Sequence, residues 1–427
     1  MMREVEPMRF EMPFGEGFLP IEAEAELIAP RPTQPIDNEA EAVREALRQP
    51  IGARPLSEIV RPGERVVILV NDITRLTRTE LMLSPIVETL NRRGIPDSSI
   101  LVLFALGIHR RQTAEERRRI LGSELYSRLR TADHDAGDAA SLVTVGTTSF
   151  GNVVEINRLV LDADRVILTG EIIPHLIAGY SGGRKSVAPG AAGARTTTFN
   201  HRMIFDSRCR AGALDGNPAH EDLMEACRMV DPDFLVNVVL SPEGKLVRVV
   251  AGHWELAHRE GCQAAEALTA TRVDGPFDLV IASAGGYPLD IDLRQAHKPL
   301  DSAVKALRPG GSILFYAECA GGAGHPLFED YINRYADHAA MERALREKFV
   351  VGGHKAFWVA RLGADYDVHL VSRLDPEFVR RCHFHPVAVE EHEERLRKLL
   401  ASHPRTAAIP HAGHVLIRNA GQRQSLQ

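Results

Sequence analysis

The chain has 427 residues, 44% of them hydrophobic and 25% charged, with a formal charge of −6; these are ordinary values for a globular protein of two or three domains that needs no covalent staples. The acidic balance excludes a general nucleic-acid binder, and the longest apolar run, Ile100–Ile108, is too short to span a bilayer. Five scattered cysteines without a C-x-x-C pair exclude a disulfide framework and a zinc ribbon, and a charged opening without an apolar core shows no secretory signal, so a cytoplasmic protein is expected.

The first 50 residues are acidic and Pro-rich and end in a helix, Asn38–Arg48. ERVVILV (64–70) reads as a buried strand, followed by a helix from about Glu80 to Arg93. SILVLFAL (99–106) is a second buried strand. Thr113 and Glu116 form a T-x-x-E capping box for the helix after it. RVILTGEII (165–173) is a third apolar strand. Phe234–Leu240 and Lys245–Val250 flank SPEGK as a hairpin, and a helix runs from Trp254 to Ala270. After a linker at Val273–Pro276 a second alternating block begins: strand FDLVIAS, helix Arg294–Leu307, turn RPGG, strand SILFYAE. Helices near Met341–Phe349 and Val389–Ala401 and a strand-like HVLIRN complete it. Apolar strands alternating with helices predict an α/β protein with mainly parallel sheets in two domains. The expected division is 1–272, rejoined by 403–427, and 273–402.

Three loops carry the chemistry. NDITRLTRT follows the first strand with Asp72, Thr74, Arg75, Thr77 and Arg78. GIHRR follows the second with His109 and Arg110. PHLIAGYSGGRKSVAPG follows the third with His175, Gly182, Gly183, Arg184 and Lys185, and then comes TTTFNHR with His201. Ligands bind at the carboxyl ends of parallel strands, so three polar loops at that edge predict one composite site, although each alone is compatible with a solvated connection. In GYSGGRKS, closely spaced glycines let backbone N–H groups approach a phosphate. It is not a P-loop, because Arg184 stands where that motif needs its last Gly. His109, His175 and His201, converging, could instead hold zinc, though not at H-E-x-x-H spacing. In the second block, DIDLRQAHKPLDSA sets Gln295 and Lys298 three apart on one helix face beside Arg294, placed for an anionic or hydroxylated ligand or for solvent. Trp358 in HKAFWVA lines the same pocket or belongs to the core. Only seven of the 51 basic residues are lysines, and Lys185 is the first of them; where Arg is the default cation, a Lys inside a motif points to its amine.

Through DITRLT, GIHR, PHLIAGYSGGRK, FNHR and RQAHKPLDSA, the chain resembles the nickel-pincer-nucleotide lactate racemase family, with its wider set of 2-hydroxyacid racemases and epimerases. The resemblance implies two α/β domains with the active site in the cleft between them. It implies a pyridinium thioamide/thiocarboxylate mononucleotide bound covalently to Lys185, with nickel held by His201. His109 and His175 then match the acid/base pair, and Arg75, Gln295 and Lys298 the substrate-binding positions. Asp72, Gly182, Gly183 and Arg184 are our extension to cofactor binding. Such an enzyme inverts C2 of a 2-hydroxyacid. The C2 hydrogen is too poor an acid for a lone imidazole to remove, and the cofactor takes it as hydride. Arg294 stands where lactate racemase has an aromatic residue, which implies a larger polar acid, such as the aldonate gluconate or the dicarboxylate malate. The alternatives are lactate racemase proper, a nickel-nucleotide binder without catalysis, and a zinc hydrolase. Expected partners are the small-molecule substrate and cofactor-maturation enzymes, with no nucleic acid and no membrane; the oligomeric state is left open.

Overall fold

A computed structural model describes residues 7–75 and 77–419. The chain divides into two units, a continuous one, Pro32–Leu268, and a discontinuous one made of the residues up to Arg31 and those from Thr269 onward.

In the continuous unit, helix α1 (Glu39–Arg48) starts on Asn38, whose side chain accepts from the Glu41 N–H. Six strands follow: β1 (Val66–Val70), β2 (Ile100–Phe104), β3 (Arg130–Asp133), β4 (Arg165–Glu171), β5 (Phe234–Leu240) and β6 (Leu246–Gly252). They lie in the order β6-β5-β4-β1-β2-β3, parallel except for the β5–β6 hairpin. Every residue of β1 is buried. Val67 and Leu69 enter one apolar cluster, while Val66, Ile68 and Val70 enter the cluster on the other face. A strand covered on both sides needs this unbroken apolar run, and truncating Ile68 or Leu69 to Ala costs about 2–5 kcal/mol. The longer helices that follow are α2 (Thr79–Arg92), α3 (Ala114–Leu121) with the Thr113–Glu116 capping box formed, α4 (Ala194–His201), α5 (Pro218–Val230) and α6 (Trp254–Thr269). The chain runs β1, β2, β3 toward one edge and then returns to set β4 on the other side of β1. This reversal is a topological switch point, where ligands of open α/β sheets bind.

The discontinuous unit holds β7 (Phe277–Ser283), α7 (Leu293–Ala303), β8 (Leu307–Tyr316), α8 (Gly353–Asp365), β9 (Asp367–Val371), β10 (His385–Val387) and β11 (Thr406–Ile409). Its parallel sheet has the order β10-β9-β8-β7-β11 and ends on the short strand Glu26–Leu27.

Three expectations are corrected here. The segment from 403 does not rejoin the first domain: the fully buried β11 pairs with β7, Leu279 opposite Thr406 and Ala282 opposite Ile409. The opening residues belong to the same unit, because Met8–Phe14 and Gly17–Ala23 form an antiparallel hairpin. Its Phe10, Met12, Phe14 and Ile21 pack with Leu279, Ile281 and Leu314. RPGG lies inside β8 rather than in a turn, and the β7–β8 register shifts between Phe277 and Leu279 to admit the extra residues. Residues 1–6 and 420–427 of the expected boundaries lie outside the described residues. Among the described residues no helix is long and apolar enough to cross a membrane.

Candidate active site

The carboxyl ends of β1, β2 and β4 carry the three loops. After β1, Asp72 is 5% exposed. Its Oδ1 accepts from the Thr74 N–H (3.0 Å) and hydroxyl (2.6 Å), a turn that tightens the loop. Its Oδ2 meets His109 Nδ1, brought in by the neighbouring β2. Burial pushes the Asp72 carboxyl up, yet the His109 imidazole, the Arg75 charge and the Thr74 hydrogen bond outweigh it and hold the group well below the usual carboxylate range. An ionised Asp72 keeps the proton on His109 Nδ1 and turns Nε2 into the basic atom. Asp72 thus serves His109. Gln112 ties the same loops, accepting from Ile73 N–H at 3.1 Å and donating its own backbone N–H to Asp133 at 3.0 Å.

His175 is wired the other way. It sits in a tight two-residue pairing, Pro174–His175 against Gly179–Tyr180. Its Nδ1 accepts from the backbone N–H groups of Ile177 and Ala178, each at 3.2 Å. Backbone N–H groups only donate, so the proton of neutral His175 lies on Nε2. At the end of α4, His201 Nδ1 donates to the Thr197 carbonyl at 2.9 Å, so Nε2 carries the ring's lone pair. This is how metal-bound imidazoles are oriented. Among the described residues no group of three or more His, Cys, Asp or Glu side chains is placed to hold a metal ion, so the three-histidine zinc centre does not form.

The Gly-rich loop departs from expectation. Gly183 N–H is taken by Asn237 Oδ1 at 2.8 Å. A Cβ on Gly183 would stand 2.6 Å from the His258 ring, and one on Gly182 2.6 Å from Asn237 Oδ1. Both glycines also have positive φ (56° and 72°). They let the loop press closely onto β5 and α6. Arg184 is corrected as well, since it is fully buried. It donates to the Ala178 carbonyl at 2.6 Å and faces His258 Nε2 at 3.0 Å. Burial and the Arg184 charge drive His258 down to about 3, so the pair carries one charge, not two. The loop therefore anchors itself inward through Arg184, while the next residue, Lys185, stays half-buried on a 3-10 turn, Gly183–Ser186.

Two residues that sequence reasoning passed over belong to the site. Glu171, the last residue of β4, is 8% exposed, and burial pushes its carboxyl up to about 8 against the Arg75 charge. Asn237 of β5 holds the Gly-rich loop. Only Glu171 left a trace in the sequence, as a lone carboxylate closing an otherwise apolar strand.

In the discontinuous unit, α7 begins at Asp292, whose Oδ1 accepts from Gln295 N–H at 2.7 Å. Lys298 Nζ donates to Gln295 Oε1 at 2.7 Å. Gln295 is 3% exposed, and its Nε2 has no hydrogen-bond partner. A buried amide left with unused donors is a costly arrangement, and a ligand acceptor relieves it. Arg294 is buried beside it. Trp358 Nε1 donates to Asp301 at 2.9 Å and Arg361 covers its half-buried ring, which joins α8 to α7 about two turns beyond Arg294.

Known proteins match this arrangement. The profile of the lactate racemase N-terminal domain matches residues 16–212, and that of the lactate racemase C-terminal domain residues 273–417. The lactate racemase of Thermoanaerobacterium thermosaccharolyticum is 34% identical over 67% of this chain and 67% of its own length. That of Lactiplantibacillus plantarum is 33% identical over 81% of this chain and 83% of its own. The structure of the lactate racemase apoprotein from T. thermosaccharolyticum superposes with a TM-score of 0.87 at 29% identity, covering 96% of this chain and 100% of that one.

Proposed function

Because the chain belongs to the lactate racemase family and is an isomerase of the racemase type, we propose that it inverts C2 of a polar 2-hydroxycarboxylic acid larger than lactate, with a nickel-pincer nucleotide tethered to Lys185. The residues present fit that group. Lys185 supplies an amine on a short 3-10 turn, and His201 offers Nε2 with its other nitrogen already engaged by Thr197. A single imidazole ligand suits nickel(II) in a tetragonal site. When bound, the nucleotide would supply an electron sink that takes the C2 hydrogen with its electron pair and gives it back.

The observation that carries this reading is the opposite wiring of His109 and His175. His109 Nε2 is the base that receives the substrate hydroxyl proton as C2 becomes planar. The imidazolium so formed is stabilised by the buried Asp72 carboxylate. His175 Nε2–H faces the substrate as a donor. Arg75 holds the substrate carboxylate with its planar fork. In the discontinuous unit, Gln295 Nε2 lacks an acceptor that a ligand oxygen would supply, with Lys298 beside it. Loading of the cofactor requires partner maturation enzymes.

A polar substrate is favoured by Arg294. This cation is 7% exposed, and its charge acts on Asp292 and His325. A methyl group offers it nothing to pair with, whereas a second carboxylate or a polyhydroxy tail does. Lactate itself is the second reading, on the strength of the relatives' names. The test is a panel of lactate, malate and gluconate offered to the loaded chain in heavy water without NAD. Faster inversion of the polar acids with the C2 hydrogen retained is the expected result. Faster lactate turnover selects the second reading, and solvent deuterium entering C2 at each turnover defeats the hydride reading.

A further inference from the structure

We propose that Glu171 is a positioning residue for substrate recognition: as the neutral acid it leaves the Arg75 guanidinium open to the substrate carboxylate, and as the carboxylate it takes Arg75 for itself. This deepens the proposed function and rests on it.

Glu171 ends β4, at the switch point, where β4 and β1 lie side by side. The loop after β1 carries Arg75. The Glu171 backbone is fixed on both sides, opposite Val238 in the β4–β5 register and with its carbonyl accepting from the Ser181 hydroxyl at 2.8 Å. Its side chain is 8% exposed, and among the described residues its carboxyl makes no hydrogen bond and no ion pair. Arg75 also makes no ion pair among the described residues; its one contact of this kind is a 3.3 Å bond to the neighbouring Thr74 carbonyl. An acid and a guanidinium that influence each other without pairing describe a carboxyl that is not ionised.

The charges around Glu171 agree. Asp72 and His109, on the loops after β1 and β2, are committed to each other. His175, on the loop after β4 itself, is held through Nδ1 by the turn at Ile177 and Ala178. On β5 the residue opposite Glu171 is the apolar Val238. Arg75 is the one charged group that acts on Glu171, and burial outweighs it, so the acid form persists to about pH 8. Ionised Glu171 and the substrate carboxylate then compete for one fork.

Two measurements test this. With the loaded enzyme, KM for the substrate one pH unit above the Glu171 midpoint is expected to stand about tenfold above its acid-side plateau while kcat holds, as for any ligand excluded by one ionisation. In Glu171→Gln that rise in KM is absent; the same alkaline rise in Glu171→Gln overturns the proposal. With the unloaded chain, infrared titration should show a protonated carboxyl band that is lost near pH 8 and missing from Glu171→Gln. In Arg75→Ala its midpoint should move upward, because the opposing cation is gone. A midpoint in the ordinary carboxylate range, or one indifferent to Arg75→Ala, overturns the proposal without reference to catalysis. If the loaded chain inverts no 2-hydroxyacid but the infrared midpoints behave as stated, the proposed function has failed and the Glu171–Arg75 coupling has not. If Gln is not tolerated, Glu171→Asp, one methylene shorter, should shift the KM rise; an unshifted rise counts against the proposal.

Discussion

His109 and His175 hold their Nδ1 atoms in opposite states: that of His109 faces a buried carboxylate, and that of His175 accepts two backbone N–H groups. Neutral His109 is therefore a base at Nε2, and neutral His175 an acid at Nε2. The site rests with one acceptor and one donor, as a reaction needs when it removes a hydroxyl proton and must later restore one.

Asp72→Asn should destroy that division. An amide can donate to His109 Nδ1, which moves the proton to Nε2 and removes the base. A loss of about 10²–10⁴ in kcat is expected, the usual worth of a general base. Nitrogen-15 shifts of the His109 ring should show the tautomer exchanged while His175 is unchanged. An unaltered His109 tautomer would show that Asp72 does not set it.

Lys185→Arg keeps the positive charge and removes the acylable amine. Intact mass under denaturing conditions should show the cofactor adduct on the wild-type chain and none on the variant. An adduct that survives the substitution would move the tether elsewhere.

Gly183→Ala tests the inward anchoring of the loop. The new Cβ lies 2.6 Å from His258, on a residue with φ of 56°. Strain and crowding together should cost about 1–3 kcal/mol in denaturant unfolding. The cofactor mass on Lys185 should fall in parallel. Stability equal to wild type would mean that His258 gives way without cost.

Glu171 also leaves a mark on stability. Its folded pKa of about 8 lies above the unfolded value, so the native state binds the extra proton between the two. Stability is whole below the unfolded pKa, falls as pH rises toward 8, and is level above it. Glu171→Gln removes this loss. It should therefore gain over wild type from about pH 4.5 to 8, by a few kcal/mol at most. A constant difference at every pH would assign the effect to packing.

Much of the framework was legible. β1, β2 and β4 read as apolar runs because both of their faces are covered, and the polar residues that follow them lie at one sheet edge. Thr113 and Glu116 declared their helix through local chemistry. What escaped depends on distance along the chain. Arg184 reads as an anion-loop cation until His258, 74 residues on, is found against it. The tautomer of His175 is set by where two backbone N–H groups point, which composition does not encode. The opening hairpin does alternate, with Phe10, Met12 and Phe14 buried between exposed Arg9 and Glu11, but its charge hid the period.

The hairpin has a consequence for biosynthesis. Phe10 and Met12 are made some 270 residues before the β7 and β8 side chains they rest on, and the strand Glu26–Leu27 must wait for β11. The continuous unit lies between them and can complete its core during translation. Until β7, β8 and β11 emerge, the hairpin is an unmatched sticky edge, and Arg9 and Glu11 on its outer face are the charges that keep such an edge from joining a neighbouring nascent chain.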